Sequence, residues 1–239
     1  MLLFYIRHGD PIYDPDSLTP LGQAQAEAVM HRLCVHGIDE IYASSSNRAI
    51  LTATPSAKIL KKEIQVLDWC NEAHCWNQVS MVDDTGFRTW SFSIPKFQKI
   101  FNSEEMRSLG SKWYDHKVFE GTTVKEGAFR IQKETDEFLQ SLGYRHDRNA
   151  GIYYPENHND KRIALFAHEG FGASFFSALL DIPYPLYATH FTMCHSGMSV
   201  IEFTPNKDGF VIPKVLQLSN DSHIFAKGLP LRYNNSINI

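Results

Sequence analysis

The chain has 239 residues, a formal charge of −4, and 43% hydrophobic against 21% charged residues. That balance is ordinary for a soluble globular protein with enough apolar side chains for a sizeable core, and it excludes intrinsic disorder. The mild acidity argues against nucleic-acid and anionic-membrane partners, both of which need a basic surface, while leaving room for a locally basic pocket.

Leu2-Leu3-Phe4-Tyr5-Ile6 is a continuous apolar run of the kind a central parallel strand requires, and it ends at Arg7-His8-Gly9. The run is too short for the core of a secretory leader, and no stretch approaches the length needed to span a bilayer. Four cysteines, Cys34, Cys70, Cys75 and Cys194, are unlike a secreted disulfide framework, so a reduced, cytoplasmic setting is expected.

After a turn-rich stretch over 10–17, Thr19 as N-cap with Pro20 in the first helical position predicts a helix that ends near His36-Gly37. Its inner face carries Ala26, Val29, Met30 and Leu33. Residues 40–44 form a second strand, and Ser45-Ser46-Asn47 leads into a helix with Arg48 in its first turn. A third strand over 64–67 precedes Cys70-Asn71-Glu72-Ala73-His74. From there to about residue 125 periodicity is lost and aromatic residues accumulate, among them Trp76, Trp90 and Trp113, which read as packing residues. Such a length suits a lid or a segment with structure of its own. Ala128, Ile131, Phe138, Leu139 and Leu142 then mark a helix that stops at Gly143, followed by a polar loop over 145–161. The apolar run 163–166 ends at Ala167-His168-Glu169-Gly170. A helix over 171–180 and a terminal hairpin, 198–203 with 211–218, complete the chain. The expected fold is α/β, a three-layer α/β/α sandwich with a mostly parallel central sheet and an inserted cap region. One domain over 1–239, with the cap at about 74–124, is expected.

Two histidines at the carboxyl ends of buried strands predict one site, because ligands of open α/β sheets bind at that edge. With Arg7 and Arg48 they offer fixed positive charge and hydrogen-bond donors, and phosphate is the natural guest. An imidazole there can attack phosphorus if one nitrogen donates to the protein and the other keeps its lone pair for the ligand. His8 is the candidate nucleophile, and His168 a second cation that stabilises charge on the transferred group.

Three segments in order, 6–9 with 18–26, then 42–53, then 165–170, resemble the histidine phosphatase superfamily, branch 1, which includes the cofactor-dependent phosphoglycerate mutases. The resemblance implies a phosphatase that hydrolyses a phosphomonoester through a phosphohistidine on His8, with Arg7, Arg48 and His168 holding the phosphoryl oxygens. It implies no metal and no cofactor, and a phosphorylated small molecule as partner; the oligomeric state stays open, a homodimer included. It also implies Glu72 as the general acid, a role that needs a carboxyl whose pKa is lifted toward neutrality. In the acid phosphatase branch the proton donor directly follows the second histidine, where this chain has Glu169, so Glu169 is the alternative acid. A mutase-like phosphoryl transferase is a further alternative, although Asp10-Pro11-Ile12-Tyr13 replaces the pattern associated with mutases. So is a phosphoester-binding module without turnover. The aromatic insertion would cap the site and also carries Lys96, Lys99, Arg107 and Lys112, features that suggest a phosphoester with an organic portion that can stack or pack. The groups His31, Cys34, His36 and Cys70, His74, Cys75 lack the paired spacing of a zinc site. His195 and His223 read as structural, and residues 196–198 as the bearers of a backbone donor at the pocket rim.

Overall fold

The computed structural model describes residues 1–234. Strand β1 (Leu2–Arg7) leads through a small hairpin, β2 (Pro11–Tyr13) and β3 (Asp16–Leu18), into helix α1 (Pro20–His36). Strand β4 (Glu40–Ser44), helix α2 (Asn47–Leu60) and strand β5 (Ile64–Leu67) follow. The aromatic stretch holds α3 (Glu72–Val79), a hairpin of β6 (Ser80–Val82) and β7 (Arg88–Trp90), α4 (Pro95–Phe101) and α5 (Glu104–Ser108). Helix α6 (Val124–Ser141) precedes a hairpin of β8 (Tyr144–Asp147) and β9 (Ile152–Pro155). Then come β10 (Arg162–Ala167), α7 (Glu169–Leu180), α8 (Tyr184–His190), β11 (Met198–Glu202), β12 (Lys214–Asn220) and α9 (Ser222–Ala226).

The architecture is mixed α/β with a central, mostly parallel six-stranded sheet flanked by helices. Two compact units make up the chain, one of Met1–Asn71, His158–Glu169 and the residues from Met193 on, the other of Glu72–Asn157 and Gly170–Thr192.

The first unit holds the whole sheet, in the order β12-β11-β1-β10-β4-β5. Strands β1, β10, β4 and β5 run parallel, and β11 is antiparallel to both of its neighbours. Phe4, Ile6, Ile41, Ala43, Ala164 and Phe166 from the sheet pack with Val29 and Leu33 of α1 and Ala53 and Ala57 of α2. Small residues on α2 let the two helices share one sheet face. Thr19 caps α1 as expected, its Oγ1 accepting from Gly22 N at 3.0 Å. The loop after β1 lies against that helix start: a Cβ on Gly9 would stand 2.6 Å from Gly22 O, and one on Gly22 would stand 2.2 Å from Asp10 O. Only glycine allows this approach, and it fixes the chain that carries His8.

The second unit shows what periodicity could not. The insertion is a set of short helices and a hairpin around Phe101, Met106, Trp113 and Phe119, all buried. The polar loop expected over 145–161 is corrected to the β8–β9 hairpin, because Gly143 (φ +99°) ends α6 and Gly151 (φ +66°) closes the turn with its N–H on Asp147 O at 2.8 Å. Helix α7 starts at Glu169 rather than 171, α8 was not foreseen, and β12 starts at Lys214 rather than 211.

The β8–β9 hairpin is tied down by His146, whose Nδ1 and Nε2 each lie 2.9 Å from a carboxylate oxygen, of Asp136 and Asp181 respectively. Arg148 reaches the same two carboxylates, at 2.8 Å and 3.1 Å. Burial pulls the His146 pKa down, but the hydrogen bonds to Asp136 and Asp181 outweigh it and the net shift is upward from 6.5. A folded-state pKa raised above the unfolded value gives stability that is fully present below 6.5 and is lost as pH rises through the folded pKa. Urea melts at about pH 6 and about pH 8.5 are therefore expected to show lower stability at the higher pH from this group. Asp136→Asn is expected to cost about 1–3 kcal/mol at the lower pH and to flatten that dependence. An unchanged pH slope in the variant would remove His146 as its source.

Candidate active site

Strands β1 and β10 are parallel neighbours with Arg7 opposite Ala167, so the next residue of each, His8 and His168, emerges at the same sheet edge. His8 N donates to Ala167 O at 2.9 Å, and the two imidazole rings stand 5.2 Å apart between centroids. Both side chains are buried.

His8 Nδ1 lies 2.7 Å from Gly9 O. A carbonyl can only accept, so Nδ1 carries the hydrogen and Nε2 keeps its lone pair. Burial, then the charges of His168, Arg7 and Arg48, push the His8 pKa well below 6.5. The ring is therefore neutral near neutral pH, the form a nucleophile needs.

Arg48, at the start of α2, donates from Nη2 to His168 Nδ1 at 3.2 Å, which places the His168 hydrogen on Nε2, 2.8 Å from Ser44 Oγ. Burial, with Arg48 and Arg7, pushes the His168 pKa well below 6.5 as well. These effects favour the neutral imidazole at neutral pH. Arg48 Nη1 forms an ion pair with Asp16 at 2.9 Å, and its guanidinium lies over the Tyr13 ring at 5.4 Å.

Arg7 is buried and surrounded by acceptors. Nη1 pairs with Glu169 Oε2 at 2.9 Å and donates to Met193 O, and Nη2 donates to Asn234 Oδ1 at 2.6 Å. Glu169 Oε1 accepts from Met193 N at 3.2 Å. Both oxygens of Glu169 therefore receive donors.

Glu72 opens α3. The residue before it, Asn71, donates to Ser45 Oγ at 2.8 Å within the first unit. Within the second, Glu72 Oε1 accepts from Gly170 N at 3.0 Å, two positions after His168. Gly170 has no room for a side chain: a Cβ would stand 2.3 Å from the Trp90 ring. Trp90 in turn meets Trp76 edge-on at 5.0 Å and stacks on Phe92 at 5.7 Å, so these rings pack as expected, around the backbone that holds Glu72.

Sequence reasoning missed His195, which is buried with its ring stacked at 5.8 Å on that of His8 and its Nδ1 3.2 Å from Asp10 Oδ1. Burial and then Arg7 push its pKa down to about 4. Ser44, Asp16 and Asn234 were missed too; only Ser44, at a strand's carboxyl end, had a signal. His223 Nε2 lies 3.0 Å from Ser196 Oγ. Of the expected rim donors 196–198, Ser196 N is taken by His8 O at 3.0 Å and Gly197 N by Cys194 O at 2.9 Å. Lys96, Lys99, Arg107 and Lys112 are all exposed, and Lys96 lies 3.4 Å from Asp84. Among the described residues neither suspected metal trio brings its ligand atoms together.

Residues 3–84 match the family model of the histidine phosphatase superfamily (branch 1). A phosphoserine phosphatase of Entamoeba histolytica, solved with phosphoserine, matches with a TM-score of 0.58 at 18% identity, over 93% of this chain and 98% of that one. A mycobacterial glucosyl-3-phosphoglycerate phosphatase matches with 0.58 at 17% identity, over 91% and 98%. The alpha-ribazole phosphatase of Shigella flexneri matches with 0.55 at 17% identity, over 92% and 96%. No curated protein sequence matches the chain. The chain thus carries the fold of the histidine phosphatase superfamily and, over residues 3–84, the sequence pattern of its branch 1.

Proposed function

We propose that this protein is a metal-independent phosphatase that hydrolyses a phosphomonoester of a small molecule through a phosphohistidine on His8. The observation that carries the reading is the His8 tautomer: Nδ1 is held by Gly9 O, Nε2 is left with its lone pair, and Arg7, Arg48 and His168 surround the ring. Nε2 attacks phosphorus, the bond to the leaving oxygen breaks, and that oxygen takes a proton from Glu72. Glu72, now a carboxylate, takes a proton from water, whose oxygen attacks the phosphohistidine and releases inorganic phosphate with His8 restored. Arg7 and Arg48 stabilise the charge on the equatorial oxygens, and His168, whose Nε2–H stays on Ser44 Oγ, supplies a further donor through Nδ1 once the anionic ester favours its protonation.

The phosphatases among the structural matches act on phosphorylated small molecules by name, which supports a substrate of that class here. The reading includes one domain over 1–239 with a cap inserted at about 74–124, a cytoplasmic setting, and no nucleic-acid or membrane partner. Among the described residues no helix is long and apolar enough to cross a membrane.

The test is a rapid quench of the purified protein with a labelled phosphate ester into alkaline denaturant, where a phosphoramidate survives. Label that is stable in alkali and labile in acid is expected, with a turnover rate unchanged by chelator. Absence of label from the wild type, or loss of turnover in chelator, would sink the proposal.

A further inference from the structure

In the first unit, the Asn234 side-chain oxygen is held as a phosphoryl oxygen would be. It accepts from Arg7 Nη2 at 2.6 Å and lies 3.0 Å from His195 Nε2. A guanidinium can only donate, so the atom between the two is the amide oxygen, and His195 presents Nε2–H to it. His195 is buried, and its backbone N–H is fixed by Arg232 O at 2.8 Å. Arg7 also keeps a buried Nε–H with no acceptor among the described residues. A buried donor without a partner costs free energy, so one beside His8 points to an acceptor that arrives with the ligand.

We propose that Arg7 and His195 form a subsite for a phosphoryl oxygen of the substrate, and that Asn234 fills this subsite until the substrate arrives. The proposal rests on the phosphatase reading and adds His195 to its binding residues. Entry of the phosphoryl group exchanges a neutral amide acceptor for an anionic one, which strengthens the hydrogen bonds from both donors. Asn234 and the chain that carries it must leave the subsite for this to happen.

The test is calorimetric binding of inorganic phosphate and of vanadate, which does not depend on turnover. Removing the occupant in Asn234→Ala is expected to lower the Kd for phosphate by about tenfold, and Asn234→Asp, a charged competitor for Arg7, to raise it by about tenfold. His195→Ala is expected to raise it by about tenfold, and His195→Gln, which keeps an N–H donor, to recover part of the loss. Opposite effects at one position cannot come from misfolding. Equal Kd values for the two Asn234 variants, or weaker binding in both, would overturn the subsite while leaving the phosphatase reading intact. A wild type that binds neither anion would overturn both.

Discussion

The His8→Ala variant is expected to lose at least about 10⁴-fold in kcat/KM and to carry no label in the alkaline quench. The size follows from the role: without the imidazole there is no covalent intermediate, and the remaining site can only bind and polarise the ester. The wild type should also show a characteristic acid limb. A histidine that attacks as the neutral ring is silenced by protonation, and His8 is held neutral to well below its usual 6.5, first by burial and then by the charges of His168, Arg7 and Arg48. The kcat/KM of the wild type is therefore expected to stay flat through pH 6.5 and to fall only in more acidic buffer. A limb centred at or above the ordinary histidine value would contradict that assignment, as would label retained by the variant.

Glu72→Gln is expected to lower kcat by roughly 10²–10⁴-fold, with a loss that depends on the leaving group. For an aryl phosphate whose phenolate needs no proton, the first step should survive and the second should stall, so phosphoenzyme should accumulate in this variant. For an alkyl phosphate the first step should fail as well. Glu169→Gln is expected to change kcat by less than about tenfold and to do so equally for both esters, because its carboxylate is occupied by Arg7 and Met193 N. The reverse pattern, accumulation in Glu169→Gln and none in Glu72→Gln, would move the proton donor to the neighbour of His168.

The centre of the sheet was legible because β1 and β10 are buried on both faces and read as unbroken apolar runs: 2–6 and 163–166 locate them, hence both histidines. Arg48 was legible through the serine-rich entry to α2. Less could be read where position depends on partners far away in sequence. Nothing near Glu169 signals Arg7, 2.9 Å away, and nothing near Asp16 signals Arg48. The β8–β9 hairpin was hidden because its polar residues, His146 and Arg148 among them, are satisfied by carboxylates of other elements rather than by water. Helix α8 is only seven residues long, too short for a periodic signal.

The pairing of β1 with β10 also has a consequence for biosynthesis. Arg7 leaves the ribosome well before Ala167, its in-register neighbour 160 residues further along the chain. At ordinary elongation rates that gap is roughly ten to thirty seconds. Until it closes, β1 lacks its parallel partner on one side and β11 on the other, and its unbroken apolar sequence is exposed on both edges. The nascent segment that carries β1 is thus an aggregation hazard, and no fragment that stops short of β10 can assemble the paired histidines.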